Sequence, residues 1–585
     1  MKFAFPFVLF IISWSSAFNQ TTTLDYNVSD LDNEQIFVQT NSTFLITGET
    51  LYFKIFCQQR KNNKPTMLSK VAYLELMDEM GTPVFQTKIS LQKGSGHGDL
   101  FIPSTFSSGN YTLIAYTRWM RNFSIDSFFK NQVTIVNPFR QPAITQSNRS
   151  KKIGKENGPT LSQSNDVHLK LSGEKFKARE KVSVTLTTKD VASVSISVRK
   201  KETTLDDAGT ILKTSVVDLG GSGLRSDDST LVSPVSSQKD SHSSSRAKPY
   251  LPEIRGHLIT GKLTPKGQGT SKRNILASIP GSDFVFHATV TDQNGNFALI
   301  INRIPESSNM IFQVQNDDID NYAVKIDDPF LGDYSRFKTA PLLIDTGLQA
   351  IVDERNIYTQ IENAYYSSMK DSVPLTPSTS FYNLPGKIYK LDDFTRFPAM
   401  EDIFREYIPE VVVRRSRGTF SLQAVSPGVG DPPSGEPLML IDGVPILNTN
   451  TFMAYDPLKI ERIEIVKEKY FYGSLYIDGI VSLKTYKGAI EELPSINSHR
   501  ENLVKIQSGK FYFFPDYSAD KFKLERVPDY RLQLYWNPSV IIASDKTTTV
   551  DFYTSDVTGD FEIVVEGLTS DGVLGSTREV ISVSK

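Results

Sequence analysis

Apolar and polar residues alternate in short runs along most of this chain, and turn-forming residues separate the runs. The first clear example, IFVQTNSTFLITGETLYFKIFC, begins at Ile36, and VAYLELMDEM follows from Val71. Turn residues recur about every eight to twelve positions, a spacing typical of antiparallel β-sandwiches. The pattern therefore predicts a β-sandwich over residues 19–138, with the polar stretch 139–165 as a linker.

A second sandwich is predicted over residues 166–249. Its strands are indicated by the alternation at Val167–Leu171, Lys181–Thr187 and Val191–Val198. From 202 to 248 the chain is rich in Asp, Ser and Gly and poor in aromatic residues, so it buries too little apolar surface to stay ordered. We interpret this stretch as a disordered insertion.

Two further sandwiches are predicted from the same alternation. Residues 250–330 contain strand patterns at Ile275–Ile279 and Phe284–Val290, followed by the polar turn TDQNGN. Short alternating runs also fill residues 500–585, which predict an immunoglobulin-like C-terminal sandwich.

Helical periodicity is confined to the segment between the last two sandwiches. Apolar residues fall on one side of a helix from Gly347 to Met369, and a shorter helix is expected from Met400 to Tyr407. We therefore predict a helical connecting segment over residues 331–408.

The stretch from Pro437 to Lys487 has a different order of elements. An apolar run ends at Asp442-Gly443, and Asp456-Pro457 opens a helical turn that leads into a half-buried strand. Tyr472-Gly473 and Asp478-Gly479 then separate further short strands. This order predicts a small α/β domain over residues 409–490.

Composition and charge narrow the class of protein. The chain has 585 residues, enough for about four domains. Its net charge is −2, from 64 basic and 66 acidic residues, so no nucleic-acid partner is expected. MKFAFPFVLFIISWSSA has the form of a cleaved secretory signal over residues 1–17.

The mature protein is expected to be exported without an anchor of its own. Cys57, the one cysteine, lies well beyond the cleavage region, so it is neither a lipidation site nor part of an intrachain disulfide. No later apolar run reaches the length of about eighteen residues that spans a membrane. Scarce cysteine in an exported multidomain chain favours a bacterial envelope, either periplasmic or associated with the outer membrane.

The first predicted sandwich resembles the MG2 domain of alpha-2-macroglobulin relatives. The resemblance rests on Phe37-Val38-Gln39-Thr40, Gly48-Glu49, Tyr52-Phe53-Lys54 and Gly109-Asn110-Tyr111. The thioester motif by which that family traps proteases is absent. Gly256, Gly261 and the TDQNGNF turn resemble the carboxypeptidase-regulatory-like sandwich found ahead of plug domains in Bacteroidota surface proteins.

The α/β stretch resembles the plug domain of TonB-dependent outer-membrane receptors. The elements that carry the resemblance occur in the expected order, and their residues are Asp442, Gly443, Pro457, Glu464, Tyr472, Gly473, Asp478 and Gly479. A receptor barrel needs many tilted strands of about ten residues each, and only about a hundred residues follow Lys487. The resemblance thus implies a plug-like domain without its barrel, within a mainly β chain of tandem immunoglobulin-like or macroglobulin-like sandwiches.

No catalytic or metal-binding pattern is present in the sequence. The six histidines, at positions 97, 168, 242, 257, 287 and 499, lack partners at metal-ligand spacing. Hydrolase, nucleotide-binding and zinc-protease motifs are missing. We therefore expect a protein that is not an enzyme and needs no cofactor.

Two sets of aromatic and basic residues are candidates for surface recognition. Arg118, Trp119 and Arg121 form an exposed loop or pack on the sandwich edge. Tyr530 and Trp536 belong to a C-terminal aromatic cluster that either packs against the plug-like domain or forms a binding edge.

Two functions remain open from the sequence. The first is docking through the plug-like domain on a protein partner in the outer membrane or envelope. The second is binding of a glycan or protein outside the cell, with the plug-like fold as scaffold only.

Overall fold

Strands dominate the structure, and the prediction of a mainly β chain with tandem sandwiches is confirmed. The computed structural model describes residues 33–140, 167–201, 249–269, 271–303, 307–342, 346–365, 371–373, 380–383, 385–425, 435–488, 493, 496–518 and 527–585. The predicted signal 1–17, nearly all of the linker 139–165 and the insertion 202–248 lie outside these residues.

Eight strands form the first sandwich, which covers residues 33–140. The strands are β1 (Glu34–Thr40), β2 (Phe44–Ile46), β3 (Thr50–Gln59), β4 (Val71–Met77), β5 (Pro83–Ser90), β6 (Ser95–Phe101), β7 (Gly109–Thr117) and β8 (Phe129–Val136). One sheet has the order β1-β3-β6, and the other includes β2-β8-β7-β4-β5. Inward residues such as Leu51, Phe53 and Ile55 are fully buried between the sheets.

The next four strands supply only part of a sandwich. They are β9 (Val167–Leu171), β10 (Lys175–Lys177), β11 (Lys181–Thr188) and β12 (Ala192–Lys200). β9 pairs with β11, whereas β12 lies in the opposite sheet. Their remaining partners come from the end of the chain.

Residues 249–269, 271–303 and 307–327 form most of a middle sandwich. Its strands are β13 (His257–Pro265), β14 (Asn274–Ile279), β15 (Val285–Val290), β16 (Asn296–Ile301), β17 (Asn309–Val314) and β18 (Tyr322–Ile326). One sheet has the order β16-β13-β18, and the other contains β15-β14-β17.

The predicted long helix is present as α1 (Thr346–Tyr365). It lies against the first sandwich, where Val352 packs with Phe44, Ile46 and Val136. Arg355 and Thr359 of the helix are also buried, and the exposed side chains include Ile357 and Tyr365. Residues 331–342 precede it without helical structure, so the segment 331–408 is helical only in part.

An α/β unit occupies residues 385–425 and 435–488. It contains β19 (Lys387–Lys390), α2 (Met400–Tyr407), β20 (Val411–Ser416), β21 (Thr419–Ala424), β22 (Leu438–Ile441), β23 (Val444–Pro445), α3 (Thr449–Met453), β24 (Ile460–Tyr472) and β25 (Leu475–Thr485). The main sheet has the order β19-β24-β25-β22-β23. Both helices and this sheet share one core, which includes Phe404, Phe452 and Ile463.

The local predictions for the α/β unit are confirmed in part. Pro457–Lys459 is a helical turn that leads directly into β24. Asp478-Gly479, however, does not end a strand, because β25 continues through it beside a bulge in β24. The β19 strand and α2, expected in the connecting segment, belong to this unit.

A strap, residues 496–518, connects separate domains. Its strand β26 (His499–Asn502) pairs with β17 of the middle sandwich, and β27 (Ile506–Gln507) pairs with β5 of the first sandwich. One short segment therefore extends two different sheets.

The expected separate C-terminal sandwich is wrong. The last strands are β28 (Gln533–Ile542), β29 (Thr547–Tyr553), β30 (Gly559–Thr569) and β31 (Leu574–Ser584). They complete sheets ordered β10-β31-β30-β12-β28 and β29-β11-β9. We call this domain the split sandwich, since about 330 residues of sequence separate its two halves. Neither half alone has enough strands to form two sheets that bury a hydrophobic core between them.

Candidate functional site

The Asp442-Gly443 turn joins β22 to β23 in a two-residue hairpin. Both residues have positive φ, +47° and +85°, as the tight hairpin turn requires. Asp442 is buried, and its carboxylate accepts hydrogen bonds from Thr485 N at 2.9 Å and Thr485 Oγ1 at 2.6 Å. The turn is thereby joined to the end of β25.

The same turn contacts the middle sandwich. A Cβ on Gly443 would lie 2.1 Å from Phe284, so only glycine fits. The ammonium of Lys484 lies 3.7 Å from the centroid of the Phe284 ring, and burial lowers the pKa of Lys484 to about 8. These contacts show that the first plug-like element faces another domain of the same chain.

Glu464 and Pro457 also have structural partners. Glu464 is buried and accepts hydrogen bonds from Tyr382 Oη at 2.6 Å and Arg462 Nε at 2.9 Å. Pro457 begins the helical turn before β24, where its missing N–H costs no hydrogen bond.

Tyr472 and Gly473 form the end of the β24–β25 hairpin against the middle sandwich. Tyr472 Oη donates to the Phe286 carbonyl at 2.8 Å, and the two rings stack with centroids 5.7 Å apart. A Cβ on Gly473 would lie 2.7 Å from the Ala288 carbonyl.

Asp478 and Gly479 lie beside the bulge of the same hairpin. Asp478 is 4.0 Å from the Lys469 ammonium, and a Cβ on Gly479 would lie 2.9 Å from Ala424. All eight plug-like residues thus build turns, ion pairs, buried hydrogen bonds or close packing within the chain. A docking surface on the α/β unit would share only Asp478 with them.

Of the two alternatives for Arg118, Trp119 and Arg121, the structure shows packing rather than an exposed recognition loop. Trp119 is buried, and the Arg121 guanidinium lies 4.1 Å from the centroid of the Tyr250 ring. Arg121 also donates to the Pro329 carbonyl at 2.8 Å. Arg121 therefore holds residues at both ends of the middle sandwich, Tyr250 before its first strand and Pro329 after its last.

Tyr530 and Trp536 are likewise not a binding edge. Trp536 is 1% exposed and stacks on Tyr52 of the first sandwich, with centroids 5.9 Å apart. Tyr530 stacks on Tyr358 of α1 at 4.9 Å. The packing alternative was correct, although the partners are the first sandwich and α1 rather than the plug-like domain.

A buried ionic cluster that the sequence did not reveal joins the first and middle sandwiches. Lys88 Nζ lies 3.1 Å from His257 Nε2, and His257 Nδ1 lies 3.2 Å from Glu253 Oε1. Tyr73 Oη donates to Glu253 at 2.9 Å. Burial lowers the pKa of Lys88 to about 8 and also lowers the pKa of His257.

This cluster has the residue types of a proton relay, yet its position favours a structural role. Lys88, His257 and Glu253 are each between 2% and 4% exposed and lie between two domains. The adjacent cavity is lined mainly by apolar side chains, including Ile279, Ile301 and Leu503. Since Lys88 and Glu253 are 165 positions apart in sequence, spacing could not indicate the cluster.

A second charged junction joins α1, the first sandwich and the split sandwich. Glu49 pairs with Arg355 at 2.6 Å and with Arg199 at 3.2 Å. Burial acts to raise the pKa of Glu49, but the two arginines outweigh it and lower that pKa. Glu362 of α1 lies beside buried Arg531, and burial raises the pKa of Glu362 to about 7.

Exposed aromatic side chains occur on the outer face of the β24–β25 hairpin. Phe471 is 79% exposed and Tyr476 is 49% exposed, with ring centroids 5.1 Å apart. They pair across the hairpin on the face opposite Tyr472 and Leu475. Sequence reasoning missed this pair because a strand pattern does not tell which face a neighbouring domain covers.

Neither a metal-ligand cluster nor a membrane-spanning helix occurs among the described residues. Among them, no three His, Cys, Asp or Glu side chains come together as metal ligands would. No described helix combines the length and apolar character needed to cross a bilayer.

Comparison with solved structures finds bacterial alpha-2-macroglobulins. Escherichia coli alpha-2-macroglobulin activated by porcine elastase matches at 10% identity with a TM-score of 0.24, over 94% of this chain and 44% of that one. Salmonella alpha-2-macroglobulin reacted with methylamine matches at 9% identity with a TM-score of 0.23, over 94% and 39%. The chain thus spans less than half the length of these proteins.

These likenesses carry no argument about activity, because both the identity and the TM-score are low. No family model matches the sequence, and a search of curated proteins finds no match. The functional conclusion therefore depends on the geometry of the chain itself.

Proposed function

We propose that this chain is a non-enzymatic, exported envelope protein that docks on a protein partner at the outer membrane through its α/β unit. The sandwiches form the body that holds this unit in place. The observation that carries the proposal is the exposed pair Phe471 and Tyr476 on a unit whose opposite face is fixed to the middle sandwich.

The anatomy of this surface supports a protein partner. Interfaces commonly have aromatic residues at the centre and paired or polar groups around them. Here the two rings lie next to Lys469 and Asp478, whose charges balance each other. The plug-like elements support the same proposal, since a unit with this order of elements has a core of its own.

Point variants test docking better than removal of residues 437–487, because that segment packs on Phe284 and Phe286 and its loss would disturb the middle sandwich. We expect that Phe471→Ser with Tyr476→Ser removes a specific partner in affinity purification from detergent-solubilised envelopes. The control is Met80→Ser with Phe139→Ser, which removes similarly exposed apolar side chains from the first sandwich. The same partners recovered with both double variants would contradict docking through this surface.

A second candidate function is glycan binding outside the cell, favoured by the same two rings beside a lysine and an aspartate. Aromatic faces stack on sugar rings, and the charged groups would accept or donate hydrogen bonds to hydroxyls. Release of the protein into the medium, together with glycan binding that Phe471→Ser removes, would favour this candidate over docking.

A further inference from the structure

The β20–β21 hairpin has a strongly basic tip. Its strands pair from Val411↔Ala424 to Ser416↔Thr419, and Arg417-Gly418 forms the turn. These two residues have positive φ, +49° and +85°, as a tight two-residue hairpin turn requires. The hairpin forms a two-stranded sheet separate from the main sheet of the α/β unit.

The base of the hairpin is firmly held. Val411, Val413 and Leu422 are buried in the core of the α/β unit. Asn450 of α3 accepts a hydrogen bond from the Phe420 amide at 2.8 Å. The tip is therefore presented at a fixed position on the unit.

Positive charge is concentrated at this tip. Arg414, Arg415 and Arg417 lie in a stretch, residues 411–425, that has no acidic residue. Arg415 contacts Glu401 at 3.6 Å and the Phe420 ring at 5.0 Å. Arg414 and Arg417 form no ion pair with any described residue. Two guanidinium groups are thus available to an anionic partner.

The shape of the tip favours a flat partner over a small ligand. All residues from 414 to 419 are exposed, and the position of a Cβ on Gly418 has no atom within 4 Å. A ligand pocket is concave and encloses its ligand, whereas this tip is convex. A flat surface can meet a convex tip directly, and Arg414 and Arg417 supply the unpaired cations there, whereas Arg415 contacts Glu401.

One aromatic side chain lies beside the arginines. Phe420 is half-buried and pairs with Arg415 across the hairpin, with the guanidinium 5.0 Å from the ring centroid. Cationic and apolar side chains side by side match the interfacial region of a bilayer, where phosphates lie above acyl chains.

We propose that the tip of the β20–β21 hairpin binds a membrane surface rich in anionic phospholipid headgroups. Guanidinium groups bind phosphate oxygens through paired hydrogen bonds, and each basic residue near an anionic surface adds to the attraction. This inference goes beyond the proposed function, since it concerns lipid and uses a surface other than Phe471 and Tyr476.

Sedimentation of the full chain with lipid vesicles tests the inference. We expect binding to vesicles that contain phosphatidylglycerol and none to vesicles of phosphatidylcholine alone. Salt of about 1 M should release the protein, because it shortens the Debye length to about 3 Å. Free inorganic phosphate at the same ionic strength should compete no better than chloride, which distinguishes a lipid surface from a phosphate site.

Variants locate the contact. Arg414→Gln, Arg415→Gln and Arg417→Gln together should weaken vesicle binding about thirtyfold, from the contributions of the two unpaired guanidinium groups, since Glu401 already offsets Arg415. The matched control removes the same charge from an exposed turn of the first sandwich, by Arg60→Gln, Lys61→Gln and Lys64→Gln. It should leave binding within about twofold, because those cations lie outside the contact. Melting curves of both variants check that each remains folded.

Three outcomes would overturn the inference. In the first, the wild-type chain does not bind anionic vesicles. In the second, the hairpin variant and the control variant lose the same amount of vesicle binding. In the third, the hairpin variant binds vesicles as well as the wild type does. A protein partner that depends on these arginines, found without vesicle binding, would assign the tip to an acidic protein segment instead. Loss of the docking partner in the Phe471 and Tyr476 variant is independent of all these results.

Discussion

At the scale of single residues, the plug-like elements are explained by local geometry and by the neighbouring domain. Asp442 and Gly443 form a turn that needs positive φ twice, and Asp442 also binds Thr485. The sequence indicated the turn, since Asp-Gly is favoured there. It could not indicate that Phe284, more than 150 positions earlier, fills the space beside Gly443.

Gly443→Ala tests this double requirement. The added methyl group meets both the left-handed backbone and the Phe284 ring, so we expect a loss of roughly 3 kcal/mol in the free energy of unfolding. Gly418→Ala is the control, because it has the same φ of +85° but open space around it. It should cost only about 1 kcal/mol. Equal losses in denaturant unfolding would show that Phe284 imposes no restriction.

At the scale of elements, periodicity predicted where strands and helices lie but not which of them belong together. The sequence predicted one apolar side for α1. Val352 of that side packs on the first sandwich, whereas Ile357 and Tyr365 are more than half exposed. The polar residues Arg355 and Glu362 of the same helix enter a charged junction with Glu49 and Arg531. A helical pattern treats such residues as solvent-facing, so the junction could not be expected.

The docking of α1 should depend on pH through Glu362. Its carboxyl lies near the like charges of Asp529 and Glu49 and the opposite charges of Arg531 and Arg199, and burial raises its pKa from 4.5 to about 7. A raised pKa in the folded state means that protonation favours folding. This contribution is complete below pH 4.5 and is lost as the pH rises through about 7.

As the pH rises from 4.5 to about 7, the docking of α1 should become less stable in the wild type. We expect this loss to be smaller in Glu362→Gln, because glutamine does not ionise. The measurement is amide hydrogen exchange of α1 at pH values across the range, with exchange corrected for intrinsic rates. Asp353→Asn, an exposed change on the same helix, is the control and should follow the wild type. The explanation fails if the two variants show the same pH profile.

At the scale of the whole molecule, the chain order of domains differs from their order in space. The first sandwich contacts the middle sandwich through Lys88 and His257, and it contacts the split sandwich through Tyr52 and Trp536. In the sequence, the two halves of the split sandwich lie on either side of the middle sandwich and the α/β unit. Burial of ionic and aromatic groups at these contacts indicates one tightly connected body rather than a row of separate sandwiches.

Removal of residues 527–585 tests the split sandwich. The deletion takes away β28 to β31, so β12 loses both of its neighbours and β11 keeps only β9, without the opposite sheet that closes its core. We expect amides of β11 and β12 to exchange as in an unfolded chain, while β4 and β7 of the first sandwich stay protected. A separate C-terminal sandwich would instead leave β11 and β12 protected after the deletion.

The amino-acid sequence by itself determined the strands, the long helix, the Asp-Gly turn and the mainly β class. These follow from alternation, helical period and turn chemistry, all of which act between residues close together in the chain. The tertiary structure alone decided that residues 167–201 share their sheets with 533–584, that Trp119 and Trp536 are buried, and that Phe471 is exposed. Those outcomes depend on contacts between residues that are hundreds of positions apart in the sequence. Local periodicity shows that a surface is apolar but does not show which other surface it contacts.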